Sequence, residues 1–379
     1  MAATMPRAYD VVIIGAGIVG TSIACHLAMQ GRPRVAVLDR EAAAGMGSTA
    51  KAAGGIRAQF SSDINIELSK LSLERFERFP AEMGVDVSFT QAGYLWIATQ
   101  PEEMRIFERN AERQRRHGLS IELLDRDGVA RKAPYVRTDD ILGGVFHARD
   151  GYASPADYVM GYHKRARELG VEFHFGQEVT GRRGRTVTTT SGEFEGERVV
   201  IAAGAWSGKL GELLGFEIPV RPVRRQCFTT EPFPELPHPI PMTVDYTSGV
   251  YLHSESGGLL VGKADKNEPP GFNEAVDDGF IEAVAMLAMD RVPVLERATV
   301  RTAWGGLYEV TPDHHPLIGE IGGGWWIAAG FSGHGVMHAP ATGQLLAELL
   351  ATGRSSLDIS SLRMSRFQEG QPIVETNVI

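Results

Sequence analysis

The hydrophobic positions change period along the chain, and each change marks an element. A polar head, MAATMPRAYD, gives way at Asp10–Ile14 to a β-branched run that reads as a buried strand. Ile18 to Gln30 then carries the small and apolar pattern of a buried helix, stopped at Gly31, and Arg34 to Leu38 reads as a second short strand. Farther on, Ser154 offers a cap, Pro155 a first-turn proline and Gly170 a stop, which predicts a helix followed by the strand VEFHF. Arg198 to Ala202 and Trp325 to Ala329 are buried-strand runs, and the second leads through GFSGHG into a helix ended by Gly353. Leu345, Leu346, Leu349 and Leu350 form its apolar face.

Val85 to Ala98 and Arg221 to Leu260 instead alternate apolar with polar positions, and a hairpin is expected around Gly257 and Gly258. Pro101 to His117 and Asn273 to Met289 read as surface helices. Strands of the first kind build a parallel, helix-covered sheet, whereas the second kind suits an antiparallel one.

At 379 residues the chain has room for about two domains. With 43% hydrophobic and 22% charged residues it has an ordinary globular composition. The formal charge of -9 comes without a long basic run, which argues against nucleic acid; the cluster Arg113, Arg115 and Arg116 reads as a solvated helix face. Two distant cysteines, Cys25 and Cys227, support neither a disulfide framework nor a cysteine metal site, so a reducing cytoplasmic setting is expected. Val11 to Ile23 is too short and glycine-interrupted to span a bilayer, so neither a membrane span nor export is expected. The adjacent pair His314 and His315 lacks a metal-binding spacing and is read as loop; no metal is expected.

The first strand, turn and helix carry chemistry. In GAGIVG, Gly15 permits the tight turn, Gly17 lets the backbone approach a pyrophosphate, and Gly20 lets helix and strand pack closely. The amides at Ile18 and the positive helix end then hold the anion. Asp39 follows about 20 residues on, where a carboxylate accepts ribose hydroxyls; this favours a dinucleotide without a 2′-phosphate and leaves NAD and FAD both open. In GSTAKAAGGIRAQF, Ser48 and Thr49 can contact phosphate, and the small run Ala52 to Gly55, including Ala53 and Gly54, lets a flat ring lie against the backbone.

GAGIVG, the pair Asp39-Arg40, STAKAAGGIR, IAAGAWS and WWIAAGFSGHGV together resemble the D-amino-acid oxidase superfamily of FAD enzymes, nearest to sarcosine oxidases, sarcosine and dimethylglycine dehydrogenases, glycine oxidase and dye-linked proline dehydrogenase flavin subunits. The resemblance spans nearly the whole chain. It implies an α/β plus α+β fold: a discontinuous Rossmann-like FAD domain from residues 1–84, 148–220 and 325–379, with an antiparallel-sheet substrate domain from 85–147 and 221–324. It also implies cofactor contacts from Arg40, Lys51, Val179, Ala203, Gly204, Trp206, Gly330, Gly333, His334, Gly335 and Val336. In the family the last helix points its N-terminus at the flavin, where its amides and dipole favour the reduced, anionic ring.

By the same resemblance Arg57 is the candidate carboxylate clamp or flavin-side charge, and Tyr251 and Tyr308 are substrate-facing tyrosines. The positions that attach FAD covalently in relatives hold Gly306 and Lys51 here, so FAD is expected to be non-covalent. Lys51 reads either as a charge near the flavin or as a solvent-directed side chain. The lysine used for oxygen in monomeric sarcosine oxidases falls near Leu260, their substrate lysine at Met337, and the carboxylate arginine of glycine oxidase near Tyr308. The implied activity is oxidation of a secondary amino acid, N-methylated like sarcosine or cyclic like proline, to an imine, with oxygen or a redox partner as acceptor. The alternatives are a dehydrogenase subunit passing electrons to a partner chain, a D-amino-acid or glycine oxidase, and a non-catalytic flavoprotein of the kind that assists respiratory-complex assembly.

Overall fold

The computed structural model describes residues 6–31, 34–85, 87 and 89–375. The first half of the polar head and two positions of the alternating segment 85–98 lie outside them. Along the chain, β1 (Arg7–Ile14), α1 (Ile18–Met29) and β2 (Val35–Leu38) are followed by β3 (Gly55–Ile56), α2 (Asp63–Met83), β4 (Phe89–Thr90) and β5 (Tyr94–Ala98). Next come α3 (Pro101–Arg116), β6 (Ile121–Asp125), α4 (Arg126–Lys132), β7 (Gly143–His147), β8 (Gly151–Ala153) and α5 (Pro155–Glu168). The chain continues through β9 (Glu172–His174), β10 (Val179–Arg183), β11 (Thr186–Thr189), β12 (Gly192–Ile201), α6 (Ser207–Leu214) and β13 (Arg221–Thr230). It closes with β14 (Met242–Asp245), β15 (Val250–Glu255), β16 (Gly258–Lys263), α7 (Asp278–Arg291), β17 (Val300–Val310), β18 (Leu317–Gly322), β19 (Trp325–Ala329) and α8 (Gly335–Thr352).

Five of these strands form the parallel centre of one sheet, in the order β9, β2, β1, β12, β19. β2, β19 and the C-terminal ends of β1 and β12 are buried on both faces, and α1 packs against α5 and α8 on one side. β10, β11 and β18 extend this sheet with antiparallel pairs. The turn from β1 to α1 is built on close approach. Gly15 adopts φ +115°, and a side chain on Gly20 would place Cβ 1.9 Å from the Gly15 carbonyl oxygen.

A second sheet runs β17, β13, β16, β15, β14, β5, β7, β6. The hairpin of β15 and β16 turns at Ser256 and Gly257, both at positive φ, as the glycine pair predicts. One pair departs from the antiparallel expectation: β14 joins β5 in parallel, because the chain reaches β14 after a long excursion through the first sheet. Asp277, not Asn273, caps α7 by accepting the Phe280 amide, so that helix starts later than its apolar pattern suggests. β12 begins at Gly192 rather than Arg198, its polar first half pairing with the edge strand β11. Leu317–Gly322, expected with the substrate sheet, instead bonds β19 in the first one.

A three-stranded patch of β3, β8 and β4 stitches the two sheets together. The basic cluster on α3 is partly structural: Arg113 donates to the Ser61 carbonyl and Arg115 to the Ile121 carbonyl. Cys25 and Cys227 are free and buried. Among the described residues no helix is long and apolar enough to cross a membrane.

Candidate active site

Between the two sheets lies a cavity of about 400 Å³. At one end it is walled by the first sheet's turn, with Gly15, Gly17, Ile18, Asp39 and Arg40 lining it. Gly20 lies outside the lining and serves the packing of α1 on the turn. Asp39 is fixed by its own loop: Oδ2 accepts the Ala16 amide at 2.6 Å and Oδ1 the Glu41 amide at 2.8 Å. Each oxygen keeps acceptor capacity for a hydroxyl.

Ser48, Thr49, Lys51, Ala53, Gly54 and Gly55 form the next stretch of wall. The Thr49 hydroxyl accepts the Ile18 amide at 3.2 Å, so it positions the helix start as well as facing the cavity. Among the described residues Ser48 Oγ is buried without a hydrogen-bond partner. Val179, Ala203, Gly204 and Trp206 line the cavity beside the glycine turn, and the Arg40 guanidinium lies 4.3 Å from the Trp206 ring centre. Gly333, His334, Gly335 and Val336 line it from the start of α8. Gly330 does not: it has φ +78°, and its amide donates to Glu309 at 2.9 Å.

Two helices thus open on one cavity, and neither is capped by the side chain of its own N-cap residue. α1 begins at Gly17 and α8 at His334, neither with a side-chain cap nor with an acidic residue in its first turn. Apart from the Ile18 amide, which Thr49 holds, the first-turn amides and the positive dipole ends make both termini anion receptors. With the orphaned Ser48 hydroxyl and the Asp39 carboxylate, this donor set fits FAD, whose pyrophosphate suits the first terminus and whose electron-accepting ring suits the second.

The far end of the cavity is assembled from both sheets. Arg57 follows β3 and is 2% exposed. Its loop is pinned by Asp150, which accepts the Ala58 amide at 2.9 Å and the Gln59 side chain at 3.2 Å. The guanidinium stacks 3.9 Å above the Phe60 ring, donates to the Gln59 carbonyl, and reaches His334 Nε2 at 3.4 Å. Burial pulls its pKa down, against the pull of Tyr94, Glu375 and Asp150. Tyr251 lies across Gly262 of the neighbouring strand, and Tyr308 reaches under Gly333, where a Cβ would sit 2.4 Å from the ring.

Burial raises the pKa of Tyr251 and Tyr308, so both are neutral hydrogen-bonding phenols at physiological pH. Burial likewise drives His334 far below the ordinary histidine range, helped by the positive Arg57, so this ring is neutral. It supplies no side-chain cap to α8.

Lys51 resolves toward neither reading alone. It lines the cavity, but its Nζ is held by Glu274 at 2.7 Å. A Cβ on Gly306 would lie 2.8 Å from the Lys51 Cβ, so the two positions that the resemblance links to covalent flavin adjoin here, and neither is a cysteine or a histidine. Leu260 is buried, and the nearby Lys263 does not line the cavity. His315 serves structure, bonding the Ser62 hydroxyl and the Asp313 carbonyl; among the described residues no cluster could hold a metal.

Tyr94, Arg225 and Glu309 are among the lining residues that escaped sequence reading. Tyr94 and Arg225 lie within alternating strands, where nothing local separates a cavity-facing position from an ordinary sheet face. Glu309 sits between Tyr308 and the TPD turn, and burial lifts its carboxyl to about 7 although the Gly330 and Phe331 amides oppose this.

The comparisons with known proteins agree with this arrangement. Residues 10–349 match the family described as DAO, FAD dependent oxidoreductase. The FAD-dependent oxidoreductase domain-containing protein 1 of Xenopus laevis is 32% identical over 99% of this chain and 85% of its own length. The mitochondrial dimethylglycine dehydrogenase of Rattus norvegicus is 30% identical over 94% of this chain, which spans 45% of that protein. L-proline dehydrogenase from P. horikoshii superposes with a TM-score of 0.92 at 30% identity, covering 97% of this chain and 100% of that one.

Proposed function

The chain belongs to the DAO family of FAD-dependent oxidoreductases, and from that premise we propose that it oxidises a secondary amino acid, N-methylated like sarcosine or cyclic like proline, to an imine. The observation that carries this reading is the single cavity joining Gly17 and Asp39 at one end to Arg57, Tyr251 and Tyr308 at the other. FAD bound there supplies two-electron oxidation of the carbon next to the amine nitrogen.

The chain's own residues bind and orient. Arg57 takes the substrate carboxylate, for which a planar guanidinium is the matching partner. The Tyr251 and Tyr308 hydroxyls fix the rest of the molecule, an orientation that accounts for much of the rate. Burial and the nearby guanidinium both disfavour an ammonium, so the amine is held neutral. Water then hydrolyses the imine; an N-methyl substrate yields an amine and an aldehyde.

The cofactor is held non-covalently, with the glycine turn on its pyrophosphate and α8 toward its ring. The division into a discontinuous cofactor domain and a substrate domain follows the two sheets, with β18 moved to the former. Oxygen is the proposed acceptor, and two free thiols suit a cytoplasmic setting. A dehydrogenase subunit is the second reading, favoured by similarity to the P. horikoshii L-proline dehydrogenase and, for the partner chain, to a protein named sarcosine oxidase subunit beta from Arthrobacter sp.

Turnover in air with sarcosine, proline, glycine and D-alanine separates these readings. Peroxide from the secondary amines, with formaldehyde from sarcosine, is expected. Turnover with primary amines alone would overturn the substrate class, and turnover only with artificial dyes would replace oxygen by a partner protein.

A further inference from the structure

One carboxylate clamp suffices for the proposed reaction, yet a second guanidinium faces the same space. Arg225 stands on β13 opposite Gly306 of β17 and lines the cavity. Its guanidinium carbon lies 5.0 Å from the centre of the Tyr308 ring. The side chain is held in place by Nη1, which donates to the Arg224 carbonyl at 2.8 Å and the Asp265 carbonyl at 3.4 Å. Its Nε is buried and has no partner among the described residues.

The neighbouring cations are neutralised locally. Arg224 pairs with Glu268 at 2.9 Å and Lys51 with Glu274 at 2.7 Å. Among the described residues Arg225 forms no ion pair. Arg225 is half-buried, and an anion entering the cavity meets a guanidinium that no carboxylate among the described residues neutralises. The field of Arg225 and that of Arg57 both act on the Tyr308 phenol, each opposing the upward push of burial. Tyr308 therefore lies within reach of two cations that approach the cavity from different sheets. The sequence around Tyr308 holds no arginine; the fold supplies one from the adjacent strand.

A secondary nitrogen carries two carbon substituents, and each can end in a carboxylate. We propose that Arg225 binds a second carboxylate of the substrate, so that the preferred substrates are secondary amines bearing two carboxylates, the N-(carboxyalkyl) amino acid class, with one carboxylate on Arg57 and the other on Arg225. This inference rests on the amine-oxidation reading for the word substrate, but its anion site can be tested without turnover.

Thiodiacetate and (methylthio)acetate carry sulfur in place of nitrogen and differ in one carboxylate. Their binding to the FAD-loaded protein is read from the perturbation of flavin absorbance. The expected result is at least tenfold tighter binding of thiodiacetate, a ratio that falls to near one in Arg225→Met and is largely kept in the charge-retaining Arg225→Lys, with FAD content checked for each variant. A ratio near one in the unaltered protein, or one that survives in Arg225→Met, overturns the proposal. If the Arg225-dependent ratio is found but no secondary amine reduces the flavin, the anion site stands and the amine-oxidation reading fails.

Discussion

Gly17 and Gly20 stand three positions apart in one turn, and what a methyl group would meet at each separates binding from folding. At Gly17 the nearest atom is the Thr49 hydroxyl at 3.3 Å, whereas at Gly20 it is the Gly15 carbonyl oxygen at 1.9 Å. Gly17→Ala is therefore expected to fold but to bind FAD at least tenfold more weakly. Gly20→Ala should lower the melting temperature even of the FAD-free chain; flavin titration with thermal melts checks both. Glu309 gives a prediction in pH. Burial raises its pKa to about 7 from an ordinary 4.5, so the folded state holds a proton that the unfolded state has released between those values. The stabilisation is present below the lower value and is lost as pH rises through the upper one, at a slope of at most about 1 kcal/mol per pH unit. Denaturant melts of the FAD-free protein at pH 5 and pH 8 should show this loss, and Glu309→Gln should remove it.

Among the elements, the uncapped start of α8 has a redox consequence. A carboxylate placed in its first turn opposes the positive end that favours an anionic reduced ring. Met337→Glu is expected to lower the flavin midpoint potential by on the order of 30 mV, about 1.4 kcal/mol for two electrons; potentiometry with reference dyes reads it, and an unchanged potential would detach α8 from the ring. Elements defined by local chemistry were legible beforehand. The Ser154 cap and Pro155 start α5, and the Ser256–Gly257 turn closes the β15–β16 hairpin, because each depends on residues adjacent in sequence. The parallel join of β5 to β14 and the register that brings Arg225 beside Tyr308 depend on pairings between distant segments, which no local pattern encodes. The start of α7 differs for a local reason instead: Asp277 captures the Phe280 amide and begins the helix later than its apolar pattern suggests.

For the whole molecule, the chain crosses repeatedly between a sheet that binds through backbone and a sheet that reads through side chains. That division explains what could be read from sequence. The cofactor half relies on glycines, small residues and helix starts, whose requirements leave a strong local trace in GAGIVG and GFSGHG. The proposed substrate half draws on Tyr94, Arg225, Tyr251 and Tyr308, ordinary strand residues until the sheets meet at the cavity they line. Joining the halves places a cofactor site and a cationic, phenol-lined chamber in one cavity, and the central claim is that an amine is oxidised there. Anaerobic absorbance of the FAD-loaded protein near 450 nm on adding a secondary amino acid tests it most directly. Bleaching by sarcosine, proline or a two-carboxylate secondary amine is the predicted result; an oxidised spectrum that persists with every amine, in protein that a chemical reductant bleaches readily, would contradict it.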